Sequence, residues 1–298
     1  MPTDQIKQEV GRFYDQVGWQ QESNGLYQNA QYEDLRAVSA EYIARAHARV
    51  GAHLAPTGEY LLDAGSGPVQ YEAYLAYSAG YHKRVCMDLS HVALVEARKR
   101  LGEHGFYVVG DIAQLPFKHE AFDGIVALHT IHHLPVAEKP DCYQGLFECL
   151  RPGRSMVTVD GWNGHGLNGL SDLIIRVADR LKRGKTKSVP TVQSAVNSTS
   201  SSSSTKTEGP AGTFVIKNNA RWFKQALTGK LPFKIYPWRS VSVHWLRSVI
   251  PDNAKGKRWL NRLYRLENRF PRFFGENGQY PLIVISKPDR AASGPMKE

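Results

Sequence analysis

The segment "LLDAGSGPVQ", residues 61–70, decides the fold of this 298-residue chain. Two leucines and an acid lead into a turn with glycines at positions 65 and 67. A strand-to-helix turn without Cβ atoms lets a ligand approach the backbone amides at the start of the next helix. The segment therefore predicts a strand, a ligand-binding turn built from Gly65, Ser66 and Gly67, and then a helix.

An acidic residue ends the next apolar run, "KRVCMDLS" at 83–90. Asp88 lies 21 residues after Gly67, where a carboxylate can accept hydrogen bonds from ribose hydroxyls. The fingerprint of dinucleotide oxidoreductases would place a third glycine at position 70, where this chain has Gln70. The spacing favours a nucleoside ligand but does not fit that class of enzyme.

Apolar runs of strand length alternate with helical patterns through most of the chain. Strict alternation predicts βαβ units, a parallel sheet and right-handed crossovers. A further strand is expected in "FKIYPWRSVS", residues 233–242. The fold class is therefore α/β, and the other predicted strands are at 59–65, 83–90, 106–112, 122–129, 154–162 and 279–288.

The chain divides into two predicted parts. Residues 1–54 have helical periodicity and form an N-terminal helical cap, and residues 55–298 form the α/β domain. An insertion is expected at 163–230, where the alternation breaks. It contains a tract at 188–213 that is rich in serine and threonine and is predicted to be disordered, since it holds too little apolar surface to fold.

Composition bears on the partners and the cellular location that are expected for the protein. The formal net charge is +10, and the excess lies mainly at 180–187 and 254–274, which we interpret as solvated helix faces and a linker rather than a nucleic-acid site. The N-terminus lacks an apolar signal segment, and no window holds 18 uninterrupted apolar residues. Three cysteines without a paired spacing fit a reducing compartment, so a cytoplasmic location is expected.

Five segments, in order, resemble the motifs of class I S-adenosylmethionine-dependent methyltransferases, in particular the small-molecule type 11-like group. They are "DAGSG", "CMDLS", "GDIAQLPF", "FDGIVALHTIHHLP" and "LFECLRPGRSMVTVD". The resemblance covers roughly residues 55–162. It implies a Rossmann-like, seven-stranded, mostly parallel sheet with an antiparallel last strand. The chain departs from the pattern at Val69 and Arg154, where the family often has glycine.

The resemblance also implies a cofactor, S-adenosyl-L-methionine, and its binding residues. In the family Asp88 would hold the ribose, Asp111 would lie near the adenine amino group and Ile112 beside the ring. The N-terminal helices of related enzymes fold over the cofactor as a lid. The cofactor-binding residues expected on this basis are Asp63, Gly65, Ser66, Gly67, Asp88, Leu89, Asp111, Ile112 and Leu128.

Three histidines follow the predicted fourth strand, in "GIVALHTIHHLP" at 124–135. His129 or His132 could be a general base, because imidazole titrates near neutral pH. A second interpretation is a divalent-metal site, by similarity to ubiquinone-pathway O-methyltransferases, although their two glutamates are histidines here. The third is structural, which is favoured for His133. We predict catalytic roles for His129 and His132 and no resident metal.

The predicted function is methyl transfer from S-adenosylmethionine to a small-molecule acceptor, with a hydroxyl oxygen favoured. The alternatives are a nucleic-acid (RNA) methyltransferase, which would explain the positive charge, and a non-catalytic module that binds S-adenosylmethionine. No transmembrane segment is expected. The amphipathic segment "RWLNRLYRLENRF", residues 258–270, could pack on the sheet or lie on an anionic membrane surface.

Overall fold

The computed structural model describes residues 3–19, 33–183 and 214–290, and the predicted disordered tract at 188–213 lies outside them. The helices are α1 (Thr3–Phe13), a π-helical turn (Tyr14–Gly18), α2 (Ala37–Gly51), α3 (Glu72–Ala76), α4 (His91–Leu101), α5 (Lys139–Cys149), α6 (Asn168–Arg183), α7 (Ala220–Leu227), α8 (Val243–Val249), α9 (Ala254–Arg269) and α10 (Pro271–Asn277). The strands are β1 (Gly58–Ala64), β2 (Tyr81–Asp88), β3 (Gly105–Val109), β4 (Phe122–Leu128), β5 (Leu150–Val159), β6 (Phe233–Arg239) and β7 (Tyr280–Ser286).

All seven strands form one sheet in the order β3-β2-β1-β4-β5-β7-β6. Strands β1 to β5 are mutually parallel where they pair, and β7 runs antiparallel to both β5 and β6. The predicted fold is confirmed. The strand order reverses between β1 and β4, and in sheets of this kind ligands bind beside that reversal, at the carboxyl ends of the strands.

Strand β5 begins four residues earlier than predicted, at Leu150 instead of 154. Leu150 pairs with Phe122 of β4, and the register then shifts between Phe122 and Gly124. This irregular pairing lets the strand begin before Pro152 and Gly153.

The sheet is buried on both faces, which explains why its strands read as continuous apolar runs. Successive residues of a strand point to opposite faces. Leu62 and Ile125 accordingly pack in the cluster that contains Leu146 of α5. The neighbouring Leu61 and Val126 pack on the other face in the cluster of α2 that contains Ala46, Val50 and Leu54.

Strand β6 forms one edge of the sheet. Pro237 of β6 lies opposite Pro281 of β7, and the register is irregular between Pro237 and Arg239. Helix α10 covers this strand closely, because a Cβ at Gly275 would lie 2.7 Å from the carbonyl carbon of Tyr236. At the other edge, β3 has only five residues.

Helix α9 packs on α2 and α8. Leu260 of α9 is buried beside Val38 and Tyr42 of α2 and Leu246 of α8. Within the described ranges, no helix combines the length and the apolar character that crossing a bilayer requires.

Candidate functional site

The glycine turn and the end of β2 meet at the strand-order reversal. Gly65 and Gly67 both have left-handed φ angles, +75° and +54°. The Gly67 amide donates to Oδ2 of Asp88 over 2.8 Å, and the Ser90 amide donates to Oδ1 over 2.9 Å. The carboxylate of Asp88 therefore faces the turn, as the 21-residue spacing suggested.

The protonation of Asp88 is perturbed by its surroundings. Burial raises the pKa of this carboxyl to about 6, and the negative charges of Asp63 and Asp15 act in the same direction. The amide hydrogen bonds from Ser90 and Gly67 lower the pKa and offset part of the increase. Near neutral pH the group is mostly ionised, the form that accepts hydrogen bonds from hydroxyls.

Gly65 is also required by a close contact inside the protein. A Cβ at this position would lie 2.1 Å from Cγ2 of Thr130, which follows β4. The Thr130 hydroxyl lies within hydrogen-bond distance of the Gly65 carbonyl (3.2 Å) and the Leu128 carbonyl (3.1 Å). The glycine therefore allows the turn to approach the end of β4 closely, in addition to allowing a ligand to approach the backbone.

Asp63 has a partner within the protein. Arg84, a fully buried residue of β2, donates to Oδ2 of Asp63 from Nε over 3.1 Å and also from Nη2. The same guanidinium donates to the Tyr74 carbonyl, which ties α3 to the sheet. Direct contact between Asp63 and a cofactor stays a prediction, whereas the observed role of its carboxylate is to neutralise Arg84.

Asp111 lies beyond the end of β3 and is covered by helix α1. Lys7 of α1 reaches Asp111 at 2.6 Å and Glu138 at 2.7 Å. The Ala113 amide donates to Oδ1 of Asp111. The next residue, Ile112, is buried in the core cluster on the α5 side of the sheet.

The remaining expected cofactor residues lie near the same edge of the sheet. Ser66 is buried, and its hydroxyl donates to the Gly67 carbonyl over 3.1 Å. Leu89 is in contact with α1, since a Cβ at Gly11 would lie 3.7 Å from the Leu89 Cβ. Leu128 is partly buried against the cluster on the α2 side. Contact of these residues with a cofactor stays a prediction.

The end of the first N-terminal helical segment lies over the glycine turn. The Ser90 hydroxyl donates to Asp15 over 2.6 Å, and the Tyr14 hydroxyl donates to Nε2 of His133 over 2.9 Å. Trp19 stacks on Tyr14, and a Cβ at Gly67 would lie 2.9 Å from the Trp19 ring. A nucleoside approaching the backbone at Gly67 must therefore displace the indole.

His129 occupies a strained and enclosed position at the end of β4. Its φ angle is +57°, in the left-handed region. Its ring meets the edges of Trp238 at 5.0 Å and Tyr280 at 5.9 Å between ring centroids. Burial lowers the pKa of His129 to about 3, so this imidazole accepts a proton poorly near neutral pH.

His132 is paired with an acid that the sequence analysis did not single out. Nδ1 of His132 is hydrogen-bonded to Oδ1 of Asp160, which directly follows β5. Burial opposes ionisation of Asp160, but the charge and the hydrogen bond of His132 lower the pKa of Asp160 to about 2. An ionised carboxylate can only accept, so Nδ1 carries a proton, and in the neutral form of the ring Nε2 is the atom that holds the lone pair.

His133 is held on both sides of its ring. Nδ1 donates to the Phe214 carbonyl over 2.8 Å, so Nε2 is the atom that accepts from Tyr14. Burial lowers the pKa of His133 to about 3. Across residues 3–19, 33–183 and 214–290, no three His, Cys, Asp or Glu side chains are grouped so that they could hold a metal ion.

Residues 214–218, in the segment predicted to be an insertion, run beside the histidines. The Ile216 amide donates to the His132 carbonyl over 2.8 Å. Lys139, a buried residue of α5, donates to the Ile216 carbonyl and, over 2.6 Å, to the Asn218 side chain. Burial lowers the pKa of Lys139 to about 8. Asp160 could have been singled out as an acid near the end of the predicted strand at 154–162, whereas nothing in the sequence marks Lys139.

A comparison of sequences agrees with this geometry. Residues 62–158, from β1 to β5, match the family described as "Methyltransferase domain". This segment, about a third of the chain, is similar to a methyltransferase domain. The family match covers the end of β1, all of β2, β3 and β4 and almost all of β5, and with them every residue of the glycine turn, Asp88, Asp111 and the three histidines. No curated protein matches the chain.

Solved structures share the fold of the methyltransferase domain at low sequence identity. A geranyl diphosphate methyltransferase in complex with GPP and sinefungin is 14% identical, with 95% of this chain and 99% of that chain covered and a TM-score of 0.55. The [4+2]-cyclase SpnF is 14% identical, with 95% and 97% covered and a TM-score of 0.51.

A third solved structure is about twice as long as this chain. It is phosphoethanolamine N-methyltransferase 1 of Haemonchus contortus in complex with phosphoethanolamine and S-adenosylhomocysteine. It is 12% identical, with all of this chain and 52% of that chain covered and a TM-score of 0.54. At these identities the three structures share the fold alone, and the cyclase shows that the fold also occurs in a protein not named as a methyltransferase.

Proposed function

We propose that the chain binds S-adenosylmethionine at the glycine turn and transfers its methyl group to a hydroxyl of a small molecule. The residues present suit the cofactor. Gly67 leaves the backbone open to close approach once Trp19 moves, and Asp88 places an ionised carboxylate beside that backbone. Sinefungin and S-adenosylhomocysteine occur in solved structures of the same fold, which supports the assignment. When bound, the cofactor supplies an electrophilic methyl group.

The observation that carries the choice of a hydroxyl acceptor is the His132–Asp160 pair. A hydroxyl must lose a proton as it is methylated, and an imidazole within reach can accept that proton. Asp160 holds the ring in the tautomer with the proton on Nδ1, which leaves Nε2 as the base, and it stabilises the imidazolium that forms. His129 is the weaker candidate because burial disfavours its protonated form.

The test uses methyl-labelled S-adenosylmethionine and a panel of small hydroxyl compounds, among them phenols, sugars and hydroxylated lipids. With an accepted substrate, His132→Gln is expected to lower kcat by about 100-fold or more, and Asp160→Asn by a similar amount, because each removes the positioned base. His129→Asn is the matched control. Asparagine tolerates the left-handed backbone, so this variant is expected to keep most of the turnover.

Four results would contradict the proposal. Full turnover in His132→Gln would exclude this histidine as the base. Labelling of RNA but of no small molecule would favour a nucleic-acid methyltransferase. Calorimetric binding of S-adenosylhomocysteine without labelling of any acceptor would favour a non-catalytic module, whereas absence of binding would remove the cofactor assignment itself.

A further inference from the structure

Helices α9 and α10 present four large apolar side chains to solvent. Trp259, Leu266, Phe270 and Phe273 are exposed by 50%, 48%, 53% and 51%. Trp259 and Leu266 are seven residues apart, so they lie on one face of α9, and Phe270 directly follows the last residue of that helix. We call these four side chains the apolar stripe. Single exposed apolar residues are common, but four large ones within residues 259–273 indicate a binding surface.

A cationic face adjoins the apolar stripe. Helical spacing places Arg258, Arg262, Arg265 and Arg269 on one side of α9, and it places the stripe between these arginines and the buried face formed by Gly256, Leu260 and Glu267. All four arginines are exposed, as are three further cations of the segment. Those are Lys255, Lys257 and Arg272.

The two acids of residues 254–277 do not cancel this charge at the surface. Glu267 is fully buried, with Arg49 at 3.0 Å and with hydrogen bonds from Tyr42 and Ser240. Glu276 pairs with Lys224 of α7 at 2.6 Å. The exposed surface of α9 is therefore positive along its whole length.

We propose that this face of α9 and α10 docks on a membrane whose surface carries anionic lipid headgroups. The arginines complement the charge of the headgroups, and the indole, phenyl and leucine side chains enter the boundary between headgroups and acyl chains. The arrangement suits a bilayer better than a nucleic acid, because Leu266 has no π-face on which a base could stack.

A second apolar face provides an internal comparison. Helix α6 exposes Leu170, Leu173, Val177 and Leu181, by 56%, 57%, 48% and 66%. Over residues 168–181 its two acids and two arginines balance, Asp172, Asp179, Arg176 and Arg180, and the two further cations of the helix, Lys182 and Arg183, lie at its end. The apolar residues 170–177 lie where the charges of α6 balance, and substitutions there make a control for the apolar stripe.

The test is co-sedimentation of the full chain with vesicles of phosphatidylcholine, with and without about a third of phosphatidylserine. The chain is expected to bind the anionic vesicles at least tenfold more tightly, and less tightly as salt is raised. Trp259→Ala/Phe270→Ala/Phe273→Ala and Arg258→Gln/Arg262→Gln/Arg265→Gln are each expected to lose at least tenfold. Leu170→Ala/Leu173→Ala/Val177→Ala is expected to bind like the wild type.

Fluorescence keeps the proposal testable if a multiple variant does not fold. Brominated lipids in the anionic vesicles are expected to quench the emission of the wild type, and Trp259→Phe is expected to lose most of that quenching. Equal binding to neutral and anionic vesicles, an equal loss in the α6 control, or absence of quenching overturns the proposal. So does binding of a 20-nucleotide RNA without vesicle binding, which would assign the surface to nucleic acid.

Discussion

Lowering the pH from 8 to 5 is expected to weaken binding of S-adenosylhomocysteine, because the carboxylate of Asp88 becomes protonated. Its pKa is about 6 in the structure. Ribose hydroxyls donate to the ionised carboxylate, so binding favours the deprotonated form. The ionised fraction falls from nearly all at pH 8 to roughly a tenth at pH 5, so the apparent Kd is expected to rise about tenfold.

Calorimetric titration at pH 8, 6.5 and 5 measures this change, with Asp88→Asn as the matched variant. Asparagine keeps the size of the side chain but does not titrate. At pH 8 its affinity is expected to be lower by about 1.5–3 kcal/mol for each charge-assisted hydrogen bond lost, and its Kd is expected to vary little with pH. A wild-type Kd that is constant from pH 8 to 5, or an equal pH dependence in Asp88→Asn, would refute the role of Asp88.

Three further predictions concern stability, each measured by urea unfolding. Gly65→Ala is expected to lower the free energy of unfolding by about 3 kcal/mol or more, since the added methyl group meets a threonine side chain at 2.1 Å. The control Gly164→Ala has a similar φ of +66° and nothing within 4 Å, so it is expected to cost about 1 kcal/mol. Equal costs in the two variants would contradict the close contact. His129 has a pKa of about 3 when folded and about 6.5 when unfolded, so the unfolded chain binds the extra proton in between and stability falls on acidification. His129→Asn should make the slope between pH 6 and 4 shallower by about 1.4 kcal/mol per pH unit, and an unchanged slope would contradict the shift. Arg84→Met leaves its acidic partner buried without a countercharge and is expected to cost about 3–5 kcal/mol, whereas a cost below about 1 kcal/mol would show that the pair is unimportant.

The fold could be predicted from the sequence because local and global signals agree. Each strand of the parallel part is an apolar run of the right length, and each is bounded by polar or glycine residues. The position of Asp88 followed from its spacing to Gly67, because the carboxyl ends of neighbouring parallel strands meet at one edge. The start of β5 could not be predicted, since it depends on a shift in pairing with β4.

The polar partners in the site could not be predicted, because they join residues far apart in the sequence. Asp160 lies 28 residues from His132, and Phe214 lies 81 residues from His133. Nothing local to "HTIHHLP" indicates which imidazole gains an acid and which gains a carbonyl. The contact of Trp19 with Gly67 could not be predicted from the sequence either, because each residue alone fits ordinary packing.

The two prolines that face each other at the sheet edge have a consequence for self-association. A proline lacks the amide hydrogen that a further strand would need, so Pro237 interrupts the donor row of β6. At the opposite margin, β3 offers only five residues as a template. Growth of the sheet by addition of another chain is therefore disfavoured at both margins, and replacing Pro237 with valine would remove one of these safeguards against aggregation.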